Sequence, residues 1–254
     1  MPRALQPAPA AEITDGFSDP IVRQSVRELV ADKLSAMIDC GVLRSGDDLP
    51  GERDLAATLG VSRDSVRGGI QLLVGRGVLA VLQGTRTRVL RKEADKPLSS
   101  FAEVRSPSRY RLEQIHQARM LVEAQVLELA AQAIEPKTLE FLSHSLQVQR
   151  TAVDDPLRFL MIDREFHLAL YQSSGNPVLA DYVGELHACM LDVRRIAVSQ
   201  PGAIARSIRE HEAIVEALRA GSATAARRCM RAHIEQIYRS TRKLVGSASP
   251  HAKA

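Results

Sequence analysis

Residues 49–89 constrain this chain more than any other stretch: LPGERDLAATLGVSRDSVRGGIQLLVGRGVLAVLQGTRTRV. Leu55, Ala56 and Leu59 recur at helical spacing up to Gly60, and Val66, Ile70 and Leu73 resume it after Ser62, a ready N-cap. Residues 78–82 and 85–90 then read as strands around a Gln83-Gly84 turn. Upstream, Val26, Leu29, Val30, Leu34, Met37 and Ile38 share a helical face that Gly41 ends. Two short helices, a tight turn and a basic hairpin make a winged helix-turn-helix, an arrangement that sets a helix in a DNA major groove.

The charge pattern agrees. Between positions 61 and 91 there are six arginines against one acid, a net +5, in a chain whose net charge is +4. A local basic face suits phosphate. Arg63 and Arg67 lie one turn apart on the third helix, and the planar arginine fork matches guanine O6 and N7. Ser62 and Ser65 can donate to phosphate or base edges. Arg53 opens the second helix where the duplex backbone would pass, and Gly84 at the wing tip permits close approach.

At 254 residues there is room for a second core. The absence of Trp leaves that core to Leu, Val, Ile and Ala. No apolar run is long enough to span a membrane, and no signal peptide is evident, so a cytoplasmic protein is expected. Three scattered cysteines (Cys40, Cys189, Cys229) suit a reducing compartment. The boundaries follow composition. Residues 1–19 are Pro- and Ala-rich and predict a disordered arm, 20–91 form the DNA-binding domain, and 92–108 are a polar linker. Residues 109–245 carry only helical patterns and predict a bundle of about six helices, with 246–254 a tail.

Within the bundle, Asp163 and His167 are four apart and point the same way from one helix, a spacing at which carboxylate and imidazole can share a metal ion. His211 and His233 fall on the apolar sides of two later helices. A lone inward histidine is more often a satisfied core residue, but three of them with an aspartate shift that balance. Arg119 reads either as a clamp for an effector carboxylate or as the ion-pair partner of Glu123, four residues on. Arg195 follows a long apolar stripe and is a second pocket candidate. His116, His144, His187 and His251 match no ligand position.

The segment Gly41-x-Leu43-x-x-Gly46-Asp47-x-Leu49-Pro50-x-Glu52-Arg53-x-Leu55-Ala56-x-x-Leu59-Gly60-Val61-Ser62-Arg63-x-x-Val66-Arg67, with Gly77-Val78-Leu79 and Gly84, resembles the GntR family of bacterial transcription regulators. The resemblance implies that Arg53, Arg63, Arg67 and Gly84 contact DNA. Gly68-Gly69 departs from the family pattern and predicts a less rigid or bent recognition helix, each Gly costing about 1 kcal/mol against Ala. Asp64 is a second departure that bears on operator choice. Residues 109–245 resemble the FCD ligand-binding domain of FadR-type members. The carriers are Ala118-Arg119-x-x-x-Glu123, Asp163-x-x-Phe166-His167-x-x-Leu170, Ser174-Gly175-Asn176-Pro177, Glu210-His211-x-x-Ile214 and His233. In the metal-binding branch one Asp and three His hold a divalent ion beneath an effector pocket, which implies Asp163, His167, His211 and His233 here.

The expectation is a ligand-responsive regulator, a repressor and homodimer on a palindromic operator in double-stranded DNA. A small carboxylate effector would bind beside a divalent metal (Zn, Ni, Mn or Fe). A direct metal sensor is the alternative. A metallohydrolase is weaker, since the sequence has no H-E-x-x-H and no nucleophile elbow, and no enzyme activity is expected.

Overall fold

The computed structural model describes residues 24–82, 86–90, 110–188 and 191–247. Three helices and a hairpin form the N-terminal unit: α1 Val26–Asp39, α2 Glu52–Leu59, α3 Arg63–Gly75, β1 Leu79–Leu82 and β2 Arg86–Val89. A reciprocal capping box starts α1, with Ser25 N donating to Glu28 Oε2 (2.7 Å) and Glu28 N to Ser25 Oγ (3.3 Å). Gly60, at φ +68°, turns the chain out of α2 in the left-handed region. Ser62 then caps α3 by accepting from Ser65 N at 3.1 Å. Leu34, Leu55, Val66, Leu73, Leu79 and Val89 meet in a fully buried core. The strands pair antiparallel with Leu79 opposite Val89, and Asp48 bridges to Arg88 as a short third member.

Gly68 and Gly69 do not interrupt α3, which runs continuously to Gly75. Their role is close packing with α1. A Cβ on Gly68 would run into the Arg27 side chain, and one on Gly69 would sit 2.6 Å from Val30 Cγ1 and 3.0 Å from Arg27 O. The expected bend is therefore replaced by a packing constraint.

Seven helices follow among the described residues: α4 Leu112–Ala133, α5 Pro136–Arg150, α6 Pro156–Gln172, α7 Pro177–Ala188, α8 Leu191–Val198, α9 Ala203–Arg219 and α10 Ala223–Ser247. Pro136 and Pro156 occupy first helical positions, where the missing N–H costs nothing. The count exceeds the expected six, and among the described residues the apolar stripe running from Pro177 into the VRR segment falls in α7 and α8. A core of Val126, Leu127, Leu142, Phe166, Tyr171, Ile214 and Met230 joins α4, α5, α6, α9 and α10. The arm at 1–19, the linker at 92–108, the tail from 248 onward, Gly84 and Cys189 lie outside the described residues. Cys40 and Cys229 are free thiols.

The two units touch directly. α2 packs against α5 and α6, and Lys33 pairs with Glu165 across the boundary. Arg195 on α8 forks Asp47 through Nη1 and Nη2 (2.8 and 2.9 Å) and also donates to Val42 O at 2.8 Å.

Candidate metal centre and nucleic-acid interface

The winged helix presents an arginine face with defined pairings. Arg63 and Ser62 are exposed at the start of α3, and Ser62 Oγ lies 2.9 Å from Ser65 Oγ. Arg67, 59% exposed, is held in a fork by Glu52 (Nε–Oε1 3.2 Å, Nη2–Oε2 2.8 Å). Asp64 lies on the same face with a carboxylate oxygen 3.9 Å from Arg67 Nη1. Arg53 projects from α2 at 84% exposure. On the wing, Arg88 forks Asp48 (2.7 and 3.1 Å) and Arg86 lies 3.7 Å from the same carboxylate. Pairing with Arg88 holds the Asp48 carboxyl below its ordinary range. Sequence reasoning missed these acidic partners, which fix the arginine forks in place before any phosphate arrives.

The second site lies deep in the bundle. Asp163 and His167 project from one face of α6, His211 from α9 and His233 from α10, and none of the four has any exposed surface. Each keeps one atom that finds no hydrogen-bond partner among the described residues: Asp163 Oδ1, His167 Nε2, His211 Nε2 and His233 Nε2. Such orphans are costly and rare. Asp163 Oδ1 lies 3.8 Å from His167 Nε2 and 3.6 Å from His211 Nε2. The three histidines offer ligand atoms within 4.8 Å of one another. Two ligands at about 2.1 Å from one ion, set at right or tetrahedral angles, stand roughly 3.0–3.4 Å apart. The Asp163 distances are a few tenths of an ångström wider, the histidine atoms stand up to 4.8 Å apart, and Asp163 also groups with His167 and His187 at that spacing. The donor set suits a divalent ion, whose binding would draw these atoms closer.

The opposite ring nitrogens are anchored. His211 Nδ1 donates to Gln149 Oε1 at 2.9 Å, and His233 Nδ1 to Glu210 Oε2 at 2.7 Å. Tyr171 OH donates to Glu123 Oε2 (2.8 Å), leaving its oxygen to accept from His167 Nδ1 at 3.4 Å. Each partner fixes the tautomer that turns the Nε2 lone pair inward, as outer partners of metal-bound imidazoles do. Burial pushes all three imidazoles well below their ordinary pKa; neighbouring histidines and Arg194 add to it at His167 and His211, and Arg194 and Arg119 at His233, so they are neutral and available as ligands. Burial raises Asp163 against the pull of Arg194 and raises Glu210 to about 7.

Two residues enter that had not been assigned. His187 on α7 is buried, with Nε2 3.8 Å from Asp163 Oδ2. Its place was visible in phase with Ala180 and Val183 on the buried side of α7. Arg194 is also buried. Its Nη2 donates to Asp163 Oδ2 at 2.6 Å, and its Nη1 contacts His187 Nε2. Arg195, the expected pocket residue, instead faces the winged helix. The correction is one residue of helical phase, since Arg194 shares the inward side with Leu191 and Val198. Arg119 is buried and paired with Glu123, which also accepts from Tyr171, so it sits one layer behind His167. His116 stacks on Tyr238 and meets Glu235 at 3.1 Å.

A winged helix-turn-helix in contact with a helical bundle, itself built around a buried His/Asp centre, defines a DNA-binding regulator with a sensory domain. Residues 26–89 match the model for bacterial regulatory proteins of the gntR family, and residues 114–236 match that for the FCD domain. The chain belongs to the GntR family of transcription regulators, in its FCD-containing, FadR-type branch. It is 30% identical over 228 residues to the HTH-type transcriptional repressor NanR of Cronobacter sakazakii, covering 86% of each chain. It is 29% identical over 243 residues to NanR of Klebsiella aerogenes, covering 92% of each. Among solved structures, E. coli McbR/YncC shares the fold, with a TM-score of 0.52, 21% identity, and coverage of 87% of this chain and 99% of that one. No described helix is long and apolar enough to cross a membrane.

Proposed function

We propose that this regulator is a repressor that holds one divalent metal ion with Asp163, His167, His211 and His233, and that a small carboxylate effector binds beside the ion and weakens its grip on operator DNA. The observation that carries the reading is the convergence of four buried, unpartnered ligand atoms whose outer nitrogens are already fixed. The metal would supply a Lewis-acidic anchor with one or two positions left for ligand or water. Local charge favours an anion. Asp163 and Glu123 are balanced by Arg194 and Arg119 around neutral imidazoles, so a divalent ion leaves the centre at about +2. Arg63 and Arg67 on α3, with Ser62 and Ser65 beside them, read base edges, Arg53 contacts phosphate, and a homodimer sets two such helices on a palindrome. The relatives' shared name as repressors supports the sign of the response.

The test is a band shift of the zinc-loaded protein on DNA from upstream of its own gene, titrated with small mono-, di- and hydroxycarboxylates. At least one acid is expected to weaken binding tenfold or more, and His167→Ala to remove the response while leaving DNA binding. DNA binding that ignores every acid in the panel would contradict the effector half of the reading.

A further inference from the structure

The buried centre and the wing are joined by one short helix, α8. Arg194 and Arg195 are consecutive, so their side chains leave α8 about 100° apart. Arg194 turns inward to Asp163 Oδ2 and His187. Arg195 turns outward to the Asp47 carboxylate and Val42 O. Asp47 sits in a loop stitched to the wing: Gly46 N donates to Val89 O at 2.9 Å, Leu49 N to Thr87 O at 2.8 Å, and Val89 N to Asp47 O at 3.0 Å. The next residue, Asp48, holds the wing arginines 86 and 88. An unbroken path of contacts therefore runs from Asp163 through Arg194, Arg195 and Asp47 into β2.

Space at the inner end is short. The cavity beside Arg194, between α8, α9 and α10, is about 40 Å³ and is lined by Arg194, Arg206, Ser207, Glu210, Gln236 and Ser240. That volume is on the scale of a single water, which takes about 30 Å³. A carboxylic acid fits this cavity only if α8 shifts. The helix packs on α6, α9 and α10 through the side that buries Leu191, Arg194 and Val198, while Ile196 on its other side is 58% exposed.

We propose that α8 couples the centre to the wing: Arg194 is a latch that an anionic ligand takes from Asp163, and Arg195 is the tether that moves with it and frees the Asp47 loop. This rests on the reading of the buried centre as the ligand site. Its physical basis is that the guanidinium fork fits a ligand carboxylate as well as it fits Asp163, giving two discrete arrangements. A ligand that needs α8 displaced binds the two states unequally, which coupling requires.

Hydrogen exchange on the full chain tests this, read at the amides of Gly46, Leu49 and Val89. Arg194→Ala alters no residue that touches the winged helix, yet it is expected to speed exchange there at least threefold with α3 unchanged. Arg195→Ala should do the same while keeping zinc affinity within twofold of wild type, and the double variant should exceed neither single. Arg194→Lys keeps the charge, loses the fork and should fall between, which covers the case where the alanine variant folds poorly. Arg194 variants with native circular dichroism and wild-type exchange at these amides, or additive effects in the double variant, would overturn the proposal. Failure of the wild-type chain to bind zinc would strike the reading of the centre instead, because the exchange comparison is also made on zinc-free protein.

Discussion

The arginine face of the winged helix and the buried centre use the same kinds of charged group in opposite ways. On the winged helix, Arg67 and Arg88 are forked to Glu52 and Asp48 in solvent, where an ion pair is weak and readily exchanged for a phosphate. In the bundle, Arg119–Glu123 and Arg194–Asp163 are fully desolvated, and removing one member strands the other. The first region is built to trade partners with little effect on the fold. The second makes the fold depend on what occupies it.

The largest effect that sharpens this contrast is removal of the proposed ion. At a metal concentration a thousand times its Kd, bound zinc adds about 4 kcal/mol, so chelation should lower the melting temperature by about 10 °C. The stripped protein should then lose stability in acid. Its buried imidazoles, His187 included, have folded pKa values well below 6.5. As pH falls through about 6.5 the unfolded chain therefore binds protons that the native state refuses. Asp163 and Glu210, both shifted upward and Glu210 to about 7, oppose this as two groups against four. Urea midpoints at pH 7.5 and 5.5 measure it, and a stripped protein equally stable at both would break the account of a desolvated centre.

Next in size is Glu123→Ala, which leaves Arg119 buried without its carboxylate and Tyr171 without its acceptor. A loss of about 3–5 kcal/mol is expected in denaturant unfolding. Gly69→Ala is smaller. Helix propensity alone predicts a gain of about 1 kcal/mol, but the contact with Val30 and Arg27 O adds an overpacking cost of about 1–3 kcal/mol. A net loss of about 1 kcal/mol is expected, and a more stable variant would show that α1 and α3 are not in close approach. Smallest in stability is Arg67→Ala, with an unchanged melting temperature and DNA binding weakened about tenfold. A marked fall in its melting temperature would erase the contrast between the regions.

The winged helix was readable because its punctuation is local. Ser25, Gly60, Ser62 and the Gly77-Val78-Leu79 segment each act within a turn of where they stand. Gly68 and Gly69 were visible but misread, because propensity concerns one helix and their reason is the backbone of another. In the centre, the i, i+4 pair Asp163 and His167 and the apolar phases of His211 and His233 were legible. His187 and Arg194 went unassigned although both keep the buried 3–4 spacing of Ala180, Val183, Leu191 and Val198, because no ligand motif marked them. Gln149, Glu210 and Tyr171 escaped because nothing in sequence spacing brings them to an imidazole nitrogen 2.7–3.4 Å away.

The most direct measurement of the central claim is a calorimetric zinc titration of the stripped full-length chain beside His211→Ala and His233→Ala. The account predicts one tight site per chain in the wild type and a loss in each variant greater than the roughly 10–100-fold that an outer partner costs. A wild-type chain that takes up no divalent ion, or variants that bind it as tightly as the wild type, would contradict it.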